Sequence, residues 1–172
     1  GVKAQDVIGK MGSLAWPLAA VLVNNELKSL DSQLLTDCRV EPITIDTAQG
    51  ATTYRRSLCF LLAIAARQLY PARRLMAGMA IGTGFFHYFD DEKGIKAKEV
   101  EALGQCMKAM VERDIAICIE HRSWADAVEY FKASDQPGTL LLLEHLNDAV
   151  IPLNECSGFR DLSVAPLVPS TG

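Results

Sequence analysis

No apolar run in this chain reaches the length of a membrane-spanning helix, and its most hydrophobic stretch, Leu58 to Ile64, is soon followed by Arg67. The first residues have no basic segment leading into an apolar one, so no secretory signal is expected. Basic charge is not in excess: 17 Lys and Arg against 21 Asp and Glu leave a formal net charge of -4. That balance argues against non-specific nucleic-acid binding over the whole surface, while leaving room for a local basic patch. The five cysteines, Cys38, Cys59, Cys106, Cys118 and Cys156, show no C-x-x-C spacing, which fits reduced, mostly buried thiols in a cytoplasm better than a disulfide framework. None of the three histidines, His87, His121 and His145, lies three or four residues from another, so no metal site is legible. No G-x-x-x-x-G-K-[ST] loop is present to cradle ATP phosphates; the glycine-bearing stretch Gly78 to Gly84 lacks the lysine and fits a hairpin turn.

What is present suits one globular domain or two small ones: 172 residues, 49% hydrophobic and 22% charged. A short helix is predicted near Val2 to Met11, ended by Gly12, then a strand at Ala19 to Val23. Asn24-Asn25 tolerates the left-handed backbone of a tight turn, with Glu26 to Leu30 as the returning strand. Arg39 to Ile45 alternates around Pro42, which calls for an edge strand or a bulge. Across Asp46 to Gln49 the apolar period changes from strand-like to helix-like, dividing the chain into residues 1–48 and 49–172. A helix near Thr52 to Leu69 then presents Leu58, Leu61, Leu62, Ala65 and Leu69, and Tyr70-Pro71 closes it. Leu75 to Ile81 and Phe85 to Phe89 form a hairpin, followed by a helix from Lys96 to Arg113 with Val100, Leu103, Met107, Met110 and Val111 inward. Ile115 to Ile119 is a strand, Ser123 and Asp126 start another helix, and Asp135 to Gly138 breaks it. A Leu-rich segment and strands near Ala149 to Leu153 and Phe159 to Ser163 lead to a Pro-rich exit.

Several segments, taken in order, resemble the N-terminal region of threonyl-tRNA synthetases. Val23-Asn24-Asn25-Glu26-Leu27 resembles the V-N-G-E-L turn of their TGS domain, and Gly84-Phe85-Phe86-His87-Tyr88-Phe89-Asp90 resembles their G-F-Y-Y-D-x-D strand. The segments Tyr54 to Phe60 and Asp161 to Pro169 resemble the two halves of the editing pocket. The resemblance implies an α+β fold: a truncated β-grasp (ubiquitin-like TGS) unit over 1–48, then a threonyl/alanyl-tRNA synthetase editing-like domain over 49–172, with antiparallel sheet and long helices. The same arrangement occurs ahead of the P-loop domain of some bacterial uridine kinases, and Val168-Pro169-Ser170-Thr171-Gly172 is similar to the V-P-S-T-G those proteins carry. The implied function is a non-catalytic N-terminal accessory region of a uridine kinase; ATP and magnesium would belong to a downstream kinase domain, the expected partner. A tRNA-editing or RNA-binding region of the synthetase type is the alternative.

In the synthetases the resemblance places a His-x-x-x-His pair in the first half-pocket and Cys-x-x-x-His in the second. Here those positions hold Arg56, Phe60, Ser163 and Leu167. Guanidinium stays protonated and cannot act as a base, Phe and Leu offer no lone pair, and a serine without a base is a poor nucleophile and zinc ligand. Asp161 matches the family, but one carboxylate does not make a hydrolase. The candidate site is therefore a degenerate cleft of Arg56, Phe60, His87, Asp161, Ser163 and Leu167, holding no metal or cofactor. With Arg55, Arg67, Arg73 and Arg74 nearby in sequence, it would suit a small anion or nucleotide. The plainer readings pair Arg56 with a carboxylate such as Asp161 and pack His87 among Phe85, Phe86 and Phe89, in the core.

Overall fold

A computed structural model describes residues 1–146 and 148–172 of the chain. The architecture is α+β, and every strand pairing is antiparallel. The first strand β1 (Val2–Lys3) runs directly into α1 (Ala4–Ile8) and a 3-10 turn (Gly9–Met11), which Gly12 ends at φ 99°. Strands β2 (Leu18–Val23) and β3 (Glu26–Lys28) join through Asn24 and Asn25, both at positive φ, the conformation that makes a two-residue hairpin match the strand twist. A short β4 (Gln33–Leu34) pairs with β1, a strand with no signal in the sequence pattern. Strand β5 (Val40–Thr44) lies at the edge of the order β3-β2-β5, where Pro42 costs no ladder bond, and β2 is irregular opposite its end. Ala4, Ile8, Val21, Val23 and Leu30 close a small core beneath this sheet.

The 22-residue helix α2 (Ala48–Leu69) begins at Thr47, whose hydroxyl accepts from Gly50 N, and packs on β2 and β5. Gly50 allows the junction: a Cβ there would lie 2.0 Å from the Thr44 carbonyl oxygen. The buried stripe of α2 is Thr53, Ser57, Phe60, Leu61, Ile64 and Ala65, rotated from the expected face, so that Leu58 and Leu69 are exposed. Small polar residues at Thr53 and Ser57 hide this stripe from a hydrophobic count.

The hairpin of β6 (Leu75–Ile81) and β7 (Gly84–Phe89) turns at Gly82, and only its base is buried. Phe89 packs inside at 2% exposure, whereas Phe85 and Phe86 stand about half exposed, so the expected aromatic packing fails beyond the base. Helix α3 (Ala97–Glu112) buries Leu103 and Met110 against α2, while Val100 and Val111 face outward. Residues 115–117 do not enter the sheet. Ile117 N donates to Pro169 O, Thr171 N donates to Ile115 O and Ala116 bridges Ser170, so the strand starts later, as β8 (Cys118–Ser123). Helix α4 (Trp124–Ala133) is capped by Ser123, and the Leu-rich segment that follows is a short helix, α5 (Pro137–Leu143). Strands β9 (Val150–Cys156) and β10 (Phe159–Leu162) complete the sheet β10-β9-β8. Among the described residues no helix is long and apolar enough to cross a membrane.

Gly50→Ala should force the α2 N-terminus away from β5 and lower stability by about 1–3 kcal/mol, the usual cost of overpacking. Urea denaturation of both proteins measures the difference.

Candidate functional site

The two halves of the pocket frame do come together. Ser57 donates its hydroxyl to Thr53 O (2.9 Å), as helix-interior serines do, and the same oxygen accepts Val168 N–H at 2.9 Å. This bond joins residues 111 apart in sequence and lays the C-terminal segment across α2. Leu167 and Phe60, each 6% exposed, then enter one apolar cluster with Leu61, Ile64, Leu103 and Met110. Phe60 also meets Phe159 edge-on at 5.6 Å between ring centroids. At two of the four ligand positions the structure thus has core, each side chain worth about 1.5–3 kcal/mol of burial.

The other candidates lie apart from that core. Arg56 is half-buried on α2 and forms no ion pair with Asp161 or any other carboxylate among the described residues; its charge is felt by Cys59, whose thiol burial pushes up and Arg56 pulls down. His87, half-buried on β7, has Nδ1 3.2 Å from Phe85 O. Ser163 donates its backbone N–H to Pro152 O and lines a cleft of about 840 Å³ against the N-terminal unit, shared with Lys3, Lys28 and His121. Leu167 borders an adjoining cleft of about 180 Å³ with Lys3 and Asn154. His121 and the two lysines have no counterpart in the sequence reading; Ile119 and His121 of β8 share this cleft with residues of the first 33, a proximity that no local pattern announces. Ser163 and His121 form no hydrogen bond, so the serine lacks an aligned base. Among the described residues no three metal-ligating side chains cluster.

Asp161 is the one acid of the candidate set. Burial raises its carboxyl above the ordinary aspartate value, opposed by hydrogen bonds from Leu162 N (2.8 Å) and the Thr139 hydroxyl. Held by these two donors, the carboxyl is a hydrogen-bonding fixture between β10 and α5 and forms no ion pair with Arg56.

The V-P-S-T-G segment also has a structural explanation. Thr171 Oγ1 donates to Met110 O (2.6 Å) at the end of α3 and accepts Ile115 N–H (2.8 Å), while Gly172 N donates to Asp114 Oδ1. A Cβ on Gly172 would fall 2.5 Å from that carboxylate oxygen. The motif fastens the chain end onto the turn after α3.

Because the folded protein holds the Asp161 proton more tightly than the unfolded chain, its contribution to stability is present below the ordinary aspartate range and is lost as pH rises through the folded value. Asp161→Asn, which keeps an acceptor for Leu162 N, should therefore be more stable than the parent at pH 7 and lose that segment of the pH dependence. Thermal unfolding from pH 3 to 8 checks both.

No family model matches the chain. It is 33% identical over 160 residues to the threonine–tRNA ligase of Desulforamulus reducens, covering 92% of this chain and 25% of that protein. It is 32% identical over 174 residues to the threonine–tRNA ligase of Orientia tsutsugamushi strain Ikeda, covering 100% of this chain and 27% of that protein. For the enzyme of Desulfovibrio desulfuricans the identity is 32% over 148 residues, 86% and 23% of the two chains. The chain spans about a quarter of the length of the curated relatives it matches. These relatives are synthetases, and they lend no support to the kinase-linked reading. Over nearly all its length this chain is homologous to the N-terminal region of threonine–tRNA ligases.

Proposed function

We propose that this chain is a synthetase-type editing region that no longer hydrolyses, built from a partial TGS unit (1–48) and an editing-like unit (49–172) and acting as a non-catalytic binding module. The observation that carries this reading is the burial of Phe60 and Leu167 in one apolar core, where the family pattern would put metal- or water-holding imidazoles. Ester hydrolysis needs a lone pair to hold or deprotonate water. Phe60 and Leu167 offer none, Arg56 is permanently protonated, and Ser163 has no hydrogen-bonded base. What the remaining polar groups can do is bind: Arg56 on α2 and, apart from it, Lys3 in the cleft where Lys28 pairs with Glu26, suit a small anion or nucleotide held without being cleaved.

A second reading, contact with RNA, draws on the hairpin. Phe86 and Tyr88 stack at 5.9 Å with an interplanar angle of 22°, and both are exposed, so they offer a surface on which unpaired bases can stack. The acidic net charge sets a limit on how much phosphate contact could add.

Incubated with a mischarged threonine-specific tRNA, the chain should release amino acid no faster than buffer; chain-dependent deacylation would overturn the proposal. Leu167→Ala should cost about 2–5 kcal/mol in denaturant unfolding, as a core truncation does. A neutral effect would mean that the position still lines an open pocket.

A further inference from the structure

The arginines that follow the pocket frame are not equivalent. Among the described residues, Arg73 and Arg74 are both ion-paired, as are Arg39, Arg122 and Arg160 elsewhere. Arg67, half-buried in the last turn of α2, has no carboxylate within salt-bridge distance and no hydrogen bond from its guanidinium among those residues. The negative end of the helix dipole favours a cation there, yet none of the described residues accepts from its five N–H donors.

Arg67 opens into a cavity of about 430 Å³, within the range of small-molecule sites, between α2, α4 and the β9-β10 turn. Among the described residues it is the only charged one in the lining. Glu155, the acid closest in sequence to that turn, is held by Gly158 N–H at 2.7 Å and does not line the cavity. The neutral polar liners include Gln68 and Ser157, while Ile64 and Phe159 supply an apolar wall. Ser134 and Gln136 spend their donors on Tyr130 O, Ser134 Oγ and Arg160 O, which makes that side rigid.

We infer that this cavity binds a small organic phosphate, with the Arg67 guanidinium on the phosphate, Gln68 and Ser157 as further donors, and a planar group against Phe159 and Ile64. A planar five-donor cation meeting tetrahedral oxygens from one side, with neutral donors on others, is chemistry suited to a phosphate. The inference concerns a cavity that contains none of the candidate editing positions and does not rest on the loss of hydrolysis.

Phenyl phosphate titrated calorimetrically into the intact chain supplies the test, with phenol and inorganic phosphate as separate arms. Phenyl phosphate should bind more tightly than either. Arg67→Gln should weaken it about tenfold or more, whereas Arg39→Gln, at an exposed arginine paired with Glu41, should leave it unchanged. No binding to the parent chain, equal binding of phenol, or full binding by a folded Arg67→Gln variant overturns the inference. Should that variant fail to fold, phenylglyoxal modification of Arg67 in the parent chain, followed by mass spectrometry, decides instead. Protection by phenyl phosphate supports the site, and unchanged modification rejects it.

Discussion

The bond from Val168 N–H to Ser57 Oγ is the constraint on which the second half of the molecule depends. It is made on a helix face where the serine hydroxyl already donates to its own backbone, so towards the rest of the chain it can only accept. With Val168 held there, Leu167 falls into the apolar cluster with Phe60, and the chain end continues to Ile117, Ile115 and the end of α3. The closure therefore sets the core, blocks residues 115–117 from joining the main sheet, and determines what occupies the old ligand positions.

A second anchor holds the hairpin. Arg73 places its guanidinium 3.9 Å over the Phe89 ring and donates to Asp91 (2.6 and 3.0 Å), Glu99 (2.8 Å) and Gly94 O (2.7 Å). The hydrogen bonds from Arg73 hold the Asp91 carboxyl below its ordinary value. Glu99 in turn accepts Lys96 N–H at the start of α3, so one cation fixes the hairpin base, the following loop and the next helix. This explains why β6 and β7 persist as a two-stranded unit with so much exposed apolar surface, which an isolated hairpin would not sustain in water.

Local chemistry was legible wherever a turn or cap carried it: the Asn24-Asn25 turn, the Ser123 cap, the edge strand with Pro42 and the hairpin around Gly82 all follow from neighbours in sequence. Elements decided by distant partners were not. The exposure of Leu58, Val100 and Val111 reflects which helix faces meet, and the shift of the strand from 115–119 to Cys118–Ser123 reflects capture of residues 115–117 by the chain end. At the site, the identities at the four ligand positions were readable. That Phe60 and Leu167 join one core, while Ser163 faces a separate cleft beside His121, required the fold. The V-P-S-T-G segment shows the limit of motif reasoning: its threonine and glycine meet packing demands at Met110 and Asp114 and need no partner domain to account for them.

If the C-terminal segment closes the old pocket as a permanent part of the core, Val168 N–H is reachable by solvent only when α2 itself opens. Native-state hydrogen exchange followed by NMR measures this directly. The account predicts that Val168 exchanges with the same opening free energy as the buried amides of α2, since one cooperative unit contains both. Exchange of Val168 at the rate of an unprotected chain, while the amides of α2 stay protected, would contradict it and return the pocket to an open cleft.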